Sequence, residues 1–118
     1  MIVLAGRNLA KMEAAKAELD ELGVESYLCK TDIADRVQVQ ALAEFAASLG
    51  DVTQVIHTSG VSPSDTATEN IIRINAVGTV NMVEAFSPVL AEGGVMINFS
   101  SVAAYTMPQT DEWTQAFE

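Results

Sequence analysis

The sequence predicts an α/β domain with a doubly wound parallel sheet, in which helices cover both faces of the sheet and give three layers. Short, continuously apolar runs alternate with amphipathic stretches of helical period. A strand, helix, strand alternation requires crossover connections, and these make neighbouring strands parallel. The 118 residues, 49% of them hydrophobic, amount to one domain at most. We therefore expect residues 1–118 to form a single, partial domain.

Four apolar runs mark the predicted strands. They are Ile2 to Ala5, Val24 to Lys30, Val52 to Thr58 and Val95 to Ser100. Asn8 and Asp35 are placed to cap the first two helices, because a side-chain oxygen at that position accepts from the free backbone N–H groups of the first turn. Gly23 and Gly50 are placed to end those two helices.

The last third of the chain predicts a long helix from Thr68 to Ala91, whose final turn Pro88 should bend or fray. Gly93-Gly94 should break the chain before the fourth strand. The tail predicts a loop containing Pro108 and a helix that starts at Thr110 or Asp111.

Charge and cysteine content narrow the classes of function. The chain has 16 Asp and Glu against 6 Lys and Arg, a formal net charge of −10. Such a surface repels phosphate backbones and anionic membranes, so we expect neither nucleic acid nor membrane as a partner. A dinucleotide is not excluded, because one local cation and a helix N-terminus can hold its phosphates. Cys29 is the only cysteine, no basic leader precedes the first strand, and no apolar run reaches ~20 residues. A cytoplasmic location is predicted.

Ligands of open α/β sheets bind beyond the carboxyl ends of the strands. The candidate site residues are therefore those that follow each strand: Gly6-Arg7-Asn8, Thr31-Asp32-Ile33, Thr58-Ser59-Gly60 and Ser100-Ser101. Three of these four segments concentrate small or polar residues, and one carries a cation.

Five segments in register, GRN, TDIAD, HTSG, RINAVGTVN and NFSS, resemble the short-chain dehydrogenase/reductase family through residues 1 to about 108. The resemblance implies a Rossmann-like fold, a nicotinamide dinucleotide cofactor, no metal, and hydride transfer between nicotinamide C4 and a small alcohol or carbonyl compound.

Arg7 lies where the family places the residue that discriminates at the adenosine ribose. A guanidinium there pairs with a 2′-phosphate, whereas a carboxylate would repel it, so NADP(H) is favoured over NAD(H). The alternative is a solvated arginine at a helix start.

Asp32 resembles the aspartate that bonds the adenine amino group, with the backbone of Ile33 beside it; the alternative role for Asp32 is a helix cap. Ser59-Gly60 resembles the end of the family's Asn-Asn-Ala-Gly turn, which lets backbone approach the cofactor. His57 and Thr58 replace the two asparagines. The resemblance places His57 towards the adenosine side, which argues against a catalytic role.

Asn75 resembles the asparagine that kinks the long helix and holds a water of the proton relay, and Gly78 follows at the family's spacing. A structural helix-to-helix hydrogen bond from a buried Asn75 is the alternative. Ser101 resembles the serine that orients the substrate carbonyl, with Ser100 as the neighbouring alternative.

Two parts of the family pattern do not occur in this sequence. No tyrosine has a lysine four residues later, and Tyr105, with Gln109 at that position, is rejected as the catalytic acid. Either an insertion delays the pair beyond residue 118, or the pair is lost. The glycine-rich turn that cradles the pyrophosphate, and the central strand before it, should precede Met1. Without that strand we expect two half-sheets with open edges.

Two functions follow from the resemblance. The first is a segment of an NADP(H)-dependent oxidoreductase, inactive as 118 residues alone. The second is a non-catalytic dinucleotide-binding or interaction protein. Apolar residues occupy most sides of the long helix, which predicts a homo-oligomer through residues 68–91, association with a complementary piece, or poor solubility. They are Ile71, Ile72, Ile74, Val77, Val80, Val83, Phe86 and Leu90.

Overall fold

The computed structural model describes residues 1–106 and residue 115. In chain order the elements are β1 (Ile2–Gly6), α1 (Leu9–Glu21), β2 (Ser26–Lys30), α2 (Arg36–Leu49), β3 (Val52–His57), α3 (Thr68–Ile71), a π-helical segment (Ile72–Val77), α4 (Gly78–Phe86), β4 (Leu90–Asn98) and α5 (Ala103–Thr106). The predicted α/β class is confirmed. The helix start predicted at Thr110 or Asp111 lies outside the described residues.

Local chemistry starts and stops the first two helices as predicted. The Asn8 side chain accepts a hydrogen bond from the Lys11 N–H at 3.0 Å. Asp35 Oδ1 accepts from the N–H groups of Val37 at 3.0 Å and Gln38 at 3.2 Å. Each bond satisfies a donor that the first helical turn would otherwise leave free. After α1 the chain turns at Gly23, whose φ of 71° is a left-handed value that favours glycine.

All strand pairing is parallel, as predicted, but it is divided between two sheets. β1 pairs with β2 from Ile2 opposite Ser26 to Gly6 opposite Lys30. β3 pairs with β4 and ends at His57 opposite Asn98. Within the described residues no strand pairing joins β1 to β3. The expected division into two half-sheets is therefore confirmed.

The long helix is shorter than predicted. Its last segment, α4, ends at Phe86, and Ala91 already belongs to β4. The Ser87 N–H still donates to the Val83 carbonyl, but Pro88 has no N–H group to continue this series of bonds, so the helix stops two residues before Pro88 instead of bending.

Gly93 and Gly94 lie inside β4 and do not precede it, which corrects the prediction of a chain break there. The register of β3 and β4 shifts at this point. A Cβ on Gly94 would lie 2.8 Å from the carbonyl oxygen of Ala91 and 3.2 Å from that of Thr53, so the close approach of backbones requires glycine. The two glycines therefore mark a bulge within a strand. The other strand ends agree with the prediction or differ from it by one or two residues.

One apolar cluster lies between the sheets and the helices. Its buried members are Ile33, Val39, Leu42, Ala43, Val55, Ile74, Met82 and Phe86. They come from α2, from the long helix, from β3 and from the turn after β2, so the cluster fixes the carboxyl ends of the strands relative to the long helix.

Candidate functional site

Two adjoining cavities open at the carboxyl ends of β1 and β2. The larger, of about 250 Å³, is lined by Arg7, Asp32, Ala34, Val61, Asp65, Thr66, Asn70, Arg73 and Ile74. The smaller, of about 170 Å³, is lined by Gly6, Arg7, Thr31, Ile33, Ser59, Gly60, Val61 and Ile74. The structure therefore brings together all five residues predicted to bind cofactor. Arg7 lines both cavities.

The turn after β2 is stiffened by its own side chains. The backbone N–H of Asp32 donates to Gln38 Oε1 at 2.9 Å, and Asp32 Oδ1 accepts from the Ala34 N–H at 3.0 Å. Asp35, three residues on, caps α2. The capping alternative for Asp32 is therefore excluded, and Asp32 Oδ2 has no hydrogen-bond partner among residues 1–106 and 115.

Ile33 is held in place by α4. Asn81, only 6% exposed, donates from Nδ2 to the Ile33 carbonyl at 2.9 Å. A Cβ on Gly78 would lie 2.7 Å from Ile33 Cδ1, so glycine is required for the helix to come this close to the turn. The sequence argument missed Asn81. Its signal was an asparagine at helical spacing from Gly78 within an apolar stretch, where a buried amide needs a partner.

Asn75 fastens the loop after β3 to the π-helical segment. Its Oδ1 accepts from the Val61 N–H and its Nδ2 donates to the Val61 carbonyl, both at 2.9 Å. This amide-to-backbone pair lies beside Gly60, where a Cβ would reach within 3.4 Å of Asn75 Oδ1. Asn75 therefore makes a helix-to-loop bond instead of the helix-to-helix bond expected as its alternative role, and its side chain is exposed instead of buried.

His57 lies on the helix side of β3 and is 4% exposed. Its Nε2 lies 3.0 Å from Thr79 Oγ1, and the Thr79 hydroxyl donates to the Asn75 carbonyl at 2.7 Å. Because the threonine proton is committed to that carbonyl, His57 Nε2 must be the donor of the first bond. Burial lowers the pKa of His57 below its ordinary value. His57 lines neither cavity.

Ser101, the predicted carbonyl-orienting residue, is exposed and lines neither cavity. Its hydroxyl accepts from the Ala103 N–H at 3.2 Å, at the start of the short helix α5. Within residues 1–106 and 115, no hydrogen bond joins Ser101 to Asn75. Tyr105, rejected from the sequence, is 90% exposed.

Two further charged residues of the larger cavity were missed by the sequence argument. Asp65 belongs to the loop after β3, and Arg73 lies in the π-helical segment. An arginine on an otherwise apolar helix (IIRIN) was the available signal. Over residues 1–106 and 115 no group of three potential metal ligands occurs, and no helix there has the length and apolarity of a membrane span.

The sequence is similar to a known family and to two curated proteins. The family model for short chain dehydrogenase matches residues 1–112. The short-chain dehydrogenase/reductase bsc3 of Alternaria brassicicola is 29% identical over 108 residues, which are 92% of this chain and 39% of that protein. Human carbonyl reductase [NADPH] 3 is 26% identical over 109 residues, covering 86% of this chain and 39% of the reductase.

A solved structure gives the same fold. The short chain dehydrogenase/reductase of Burkholderia phymatum, in complex with NAD, superposes with a TM-score of 0.79 at 25% identity and covers 90% of this chain and 42% of its own. The chain thus spans about two-fifths of the length of each of these relatives.

Proposed function

This chain belongs to the short-chain dehydrogenase family, and we propose that it is a segment of an NADP(H)-dependent oxidoreductase that interconverts a small alcohol and a carbonyl compound by hydride transfer. The observation that carries the proposal is that five residues from the ends of three different strands line two adjoining cavities. They are Arg7, Asp32, Ile33, Ser59 and Gly60. A relative named as an NADPH carbonyl reductase and a neighbour solved with NAD support the cofactor class.

The described residues fit the adenosine half of such a cofactor. Arg7 presents a planar set of donors to a 2′-phosphate. The unpartnered Oδ2 of Asp32 is an acceptor for an amino group such as that of adenine. Gly60 leaves room for backbone to approach the ligand. The bound dinucleotide would supply or accept the hydride at its nicotinamide ring.

Two residues are proposed to act near the substrate. Ser101 would donate its hydroxyl proton to the substrate carbonyl and stabilise the charge that develops on the oxygen. Asn75 would hold a water of the proton relay, while its side chain keeps the loop at Val61 against the long helix.

Cofactor preference is tested by titrating the chain with NADPH and with NADH and following the nicotinamide fluorescence. We expect tighter binding of NADPH. Arg7→Glu should invert the preference, because a carboxylate repels the 2′-phosphate and bonds the ribose hydroxyls instead. Lys11→Glu, which makes the same charge change on α1 outside both cavities, is the matched control and should leave the preference unchanged. Equal affinity for the two cofactors in the unaltered chain would contradict the NADP(H) preference.

Catalysis is tested separately. The 118 residues contain no Tyr-x-x-x-Lys sequence, so we expect no oxidation of NADPH by the purified chain with a panel of carbonyl substrates. Measurable turnover would show that catalysis does not require the tyrosine and lysine of a Tyr-x-x-x-Lys sequence, and would contradict this expectation.

The same observation favours a second function: a non-catalytic protein that binds a dinucleotide, or a partner, on this scaffold. Sequencing the DNA on both sides of the reading frame separates the two. An in-frame glycine-rich strand upstream and a Tyr-x-x-x-Lys downstream support the oxidoreductase, whereas nearby stop codons on both sides support the binding protein.

We also propose that the chain self-associates through the long helix. A cytoplasmic location is part of the same proposal, because a chain with a single cysteine forms no internal disulfide and suits a reducing compartment. Four apolar side chains of this helix are 38% to 55% exposed, an apolar surface that association with a second copy would bury. They are Ile72, Val77, Val80 and Val83. Sedimentation velocity should show an oligomer that Val80→Glu dissociates, and a compact monomer of the unaltered chain would contradict this.

A further inference from the structure

The larger cavity brings together four charged side chains from four different parts of the chain. Arg7 follows β1, Asp32 follows β2, Asp65 lies in the loop after β3, and Arg73 lies in the π-helical segment. Their formal charges balance, so the net charge of the lining does not by itself indicate the sign of a ligand. What distinguishes the four groups is whether their hydrogen bonds are already made.

The two carboxylates have partners within their own loops. Asp65 Oδ2 accepts from the Ser62 N–H at 2.8 Å and from the Ser62 hydroxyl at 2.6 Å. These bonds, the hydroxyl first, hold the pKa of Asp65 below its ordinary value, so the carboxylate is ionised and its charge is stabilised by the loop. Asp32 Oδ1 accepts from the Ala34 N–H.

The two guanidinium groups have no such hydrogen-bond partners among the described residues. Among residues 1–106 and 115, neither Arg7 nor Arg73 makes a side-chain hydrogen bond or an ion pair within 4.0 Å. Arg36, by contrast, pairs with Glu84 at 2.7 Å. An arginine has five N–H donors, so both guanidinium groups keep all of their donors free within the described residues, whereas one oxygen of each carboxylate is already bonded in its own loop. The cavity is therefore rich in donors and suits an anion.

The charge of the expected anion matches two cations better than one. A phosphomonoester carries about −1.5 to −2 charges at neutral pH. One guanidinium would leave part of this charge uncompensated in a protein whose formal net charge is −10. Arg7 and Arg73 together would balance it.

We propose that Arg73 is a second residue for the 2′-phosphate of the dinucleotide, and that it determines cofactor specificity jointly with Arg7. This inference rests on the proposed function, since it takes the larger cavity as the site of the adenosine 2′-phosphate. It assigns a role to a residue of the long helix, which lines the larger cavity together with Arg7.

The test uses two probes that differ only in the 2′-phosphate: adenosine 2′,5′-bisphosphate and adenosine 5′-monophosphate. Their dissociation constants are measured by calorimetry on the 118-residue chain. Arg73→Gln should weaken the bisphosphate about tenfold or more and leave the monophosphate within about twofold, because a charge-assisted pair is lost only where the phosphate is present. Arg73→Lys keeps the charge without the planar fork, so it should lose less.

Arg36→Gln is the matched control. It removes one exposed arginine and the same charge from α2, outside both cavities, so neither dissociation constant should change. Circular dichroism of each variant verifies that the fold is retained.

The outcomes separate this inference from the proposed function. If Arg7→Gln abolishes the preference for the bisphosphate and Arg73→Gln does not alter it, the role of Arg73 is wrong and the NADP(H) proposal stands. If Arg73→Gln weakens both probes equally, Arg73 contacts the adenosine and not the phosphate, and the inference is also wrong. If the unaltered chain does not prefer the bisphosphate, or binds neither probe at millimolar concentration, both proposals fail.

Discussion

The β1–β2 half of the molecule and the β3–β4 half are built by different means. In residues 1–49 each helix begins directly after a residue, Asn8 or Asp35, whose side chain accepts a hydrogen bond from an N–H group of the first turn. In residues 52–98 the long helix changes to π geometry at Ile72–Val77 and β4 is bulged. No side chain caps the start of α3, of the π-helical segment or of α4. The first half is therefore specified locally, and the second by contacts with distant segments.

The candidate nucleotide site lies where the two halves meet. Arg7 and Asp32 come from the first half, whereas Val61, Arg73 and Ile74 come from the second. Changes at the contacts between halves should therefore cost more stability than changes within the first half.

The largest effect is expected at Gly78, where α4 meets the turn after β2. Gly78→Ala would place a Cβ 2.7 Å from Ile33 Cδ1 and 2.8 Å from Ile33 Cγ1. Alanine favours a helix by roughly 1 kcal/mol over glycine, but overpacking a core costs about 1–3 kcal/mol or more. Two contacts below 3.0 Å place the overpacking cost at the upper end of this range, so we expect a net loss of about 2 kcal/mol in the free energy of unfolding, measured with urea.

Ile33→Ala supplies the control for that prediction, because it removes both Cδ1 and Cγ1, the two atoms that the new Cβ would strike. In the double variant Gly78→Ala, Ile33→Ala, the cost of the alanine at position 78 should shrink. A cost that stays the same in both backgrounds would show that the contact with Ile33 is not its cause.

The next effect compares two asparagines of the long helix that each bind backbone in a strand-end loop. Asn81→Ala leaves the Ile33 carbonyl without this partner in a buried place, and we expect a loss of about 1–2 kcal/mol. Asn75→Ala removes two bonds to Val61, but both lie at an exposed site where water replaces them. Chemical unfolding should therefore rank Asn81→Ala as the more costly. The reverse order would mean that burial does not decide the cost.

These contacts explain which parts of the fold could be predicted from the sequence. Parallel pairing, both helix caps and the place of the five candidates at the strand ends followed from residues close together in the chain. The contacts of Asn81 with Ile33 and the place of Arg73 in the larger cavity were not predicted, because they depend on segments that are distant in the sequence. The prediction for the glycines of β4 was wrong partly for the same reason: a Cβ on Gly94 would meet the Thr53 carbonyl of the neighbouring strand as well as the Ala91 carbonyl of its own strand.

Within the first half, Asn8→Ala removes one local bond to the Lys11 N–H and should cost about 1 kcal/mol. Asn8→Ser should restore most of the stability, because serine also caps helices. Calorimetric unfolding of both variants measures the difference. A loss for Asn8→Ala larger than that for Gly78→Ala would contradict the ranking of the two halves.

The smallest effect is expected from pH, at a residue of the second half. Burial lowers the pKa of His57 in the folded chain below the value of about 6.5 that it has when unfolded. The unfolded chain then binds the proton more readily, so stability is full above pH ~6.5 and is lost as the pH falls towards the folded pKa. Asp35 and Asp65, whose pKa values are lowered from those of ordinary carboxyls, titrate in a more acidic range.

Urea unfolding should therefore give a lower free energy of unfolding at pH 5.5 than at pH 7.5, and His57→Gln should remove this difference. If the difference persists in His57→Gln, a group other than the only histidine is responsible, and the buried imidazole does not make this half of the molecule sensitive to pH.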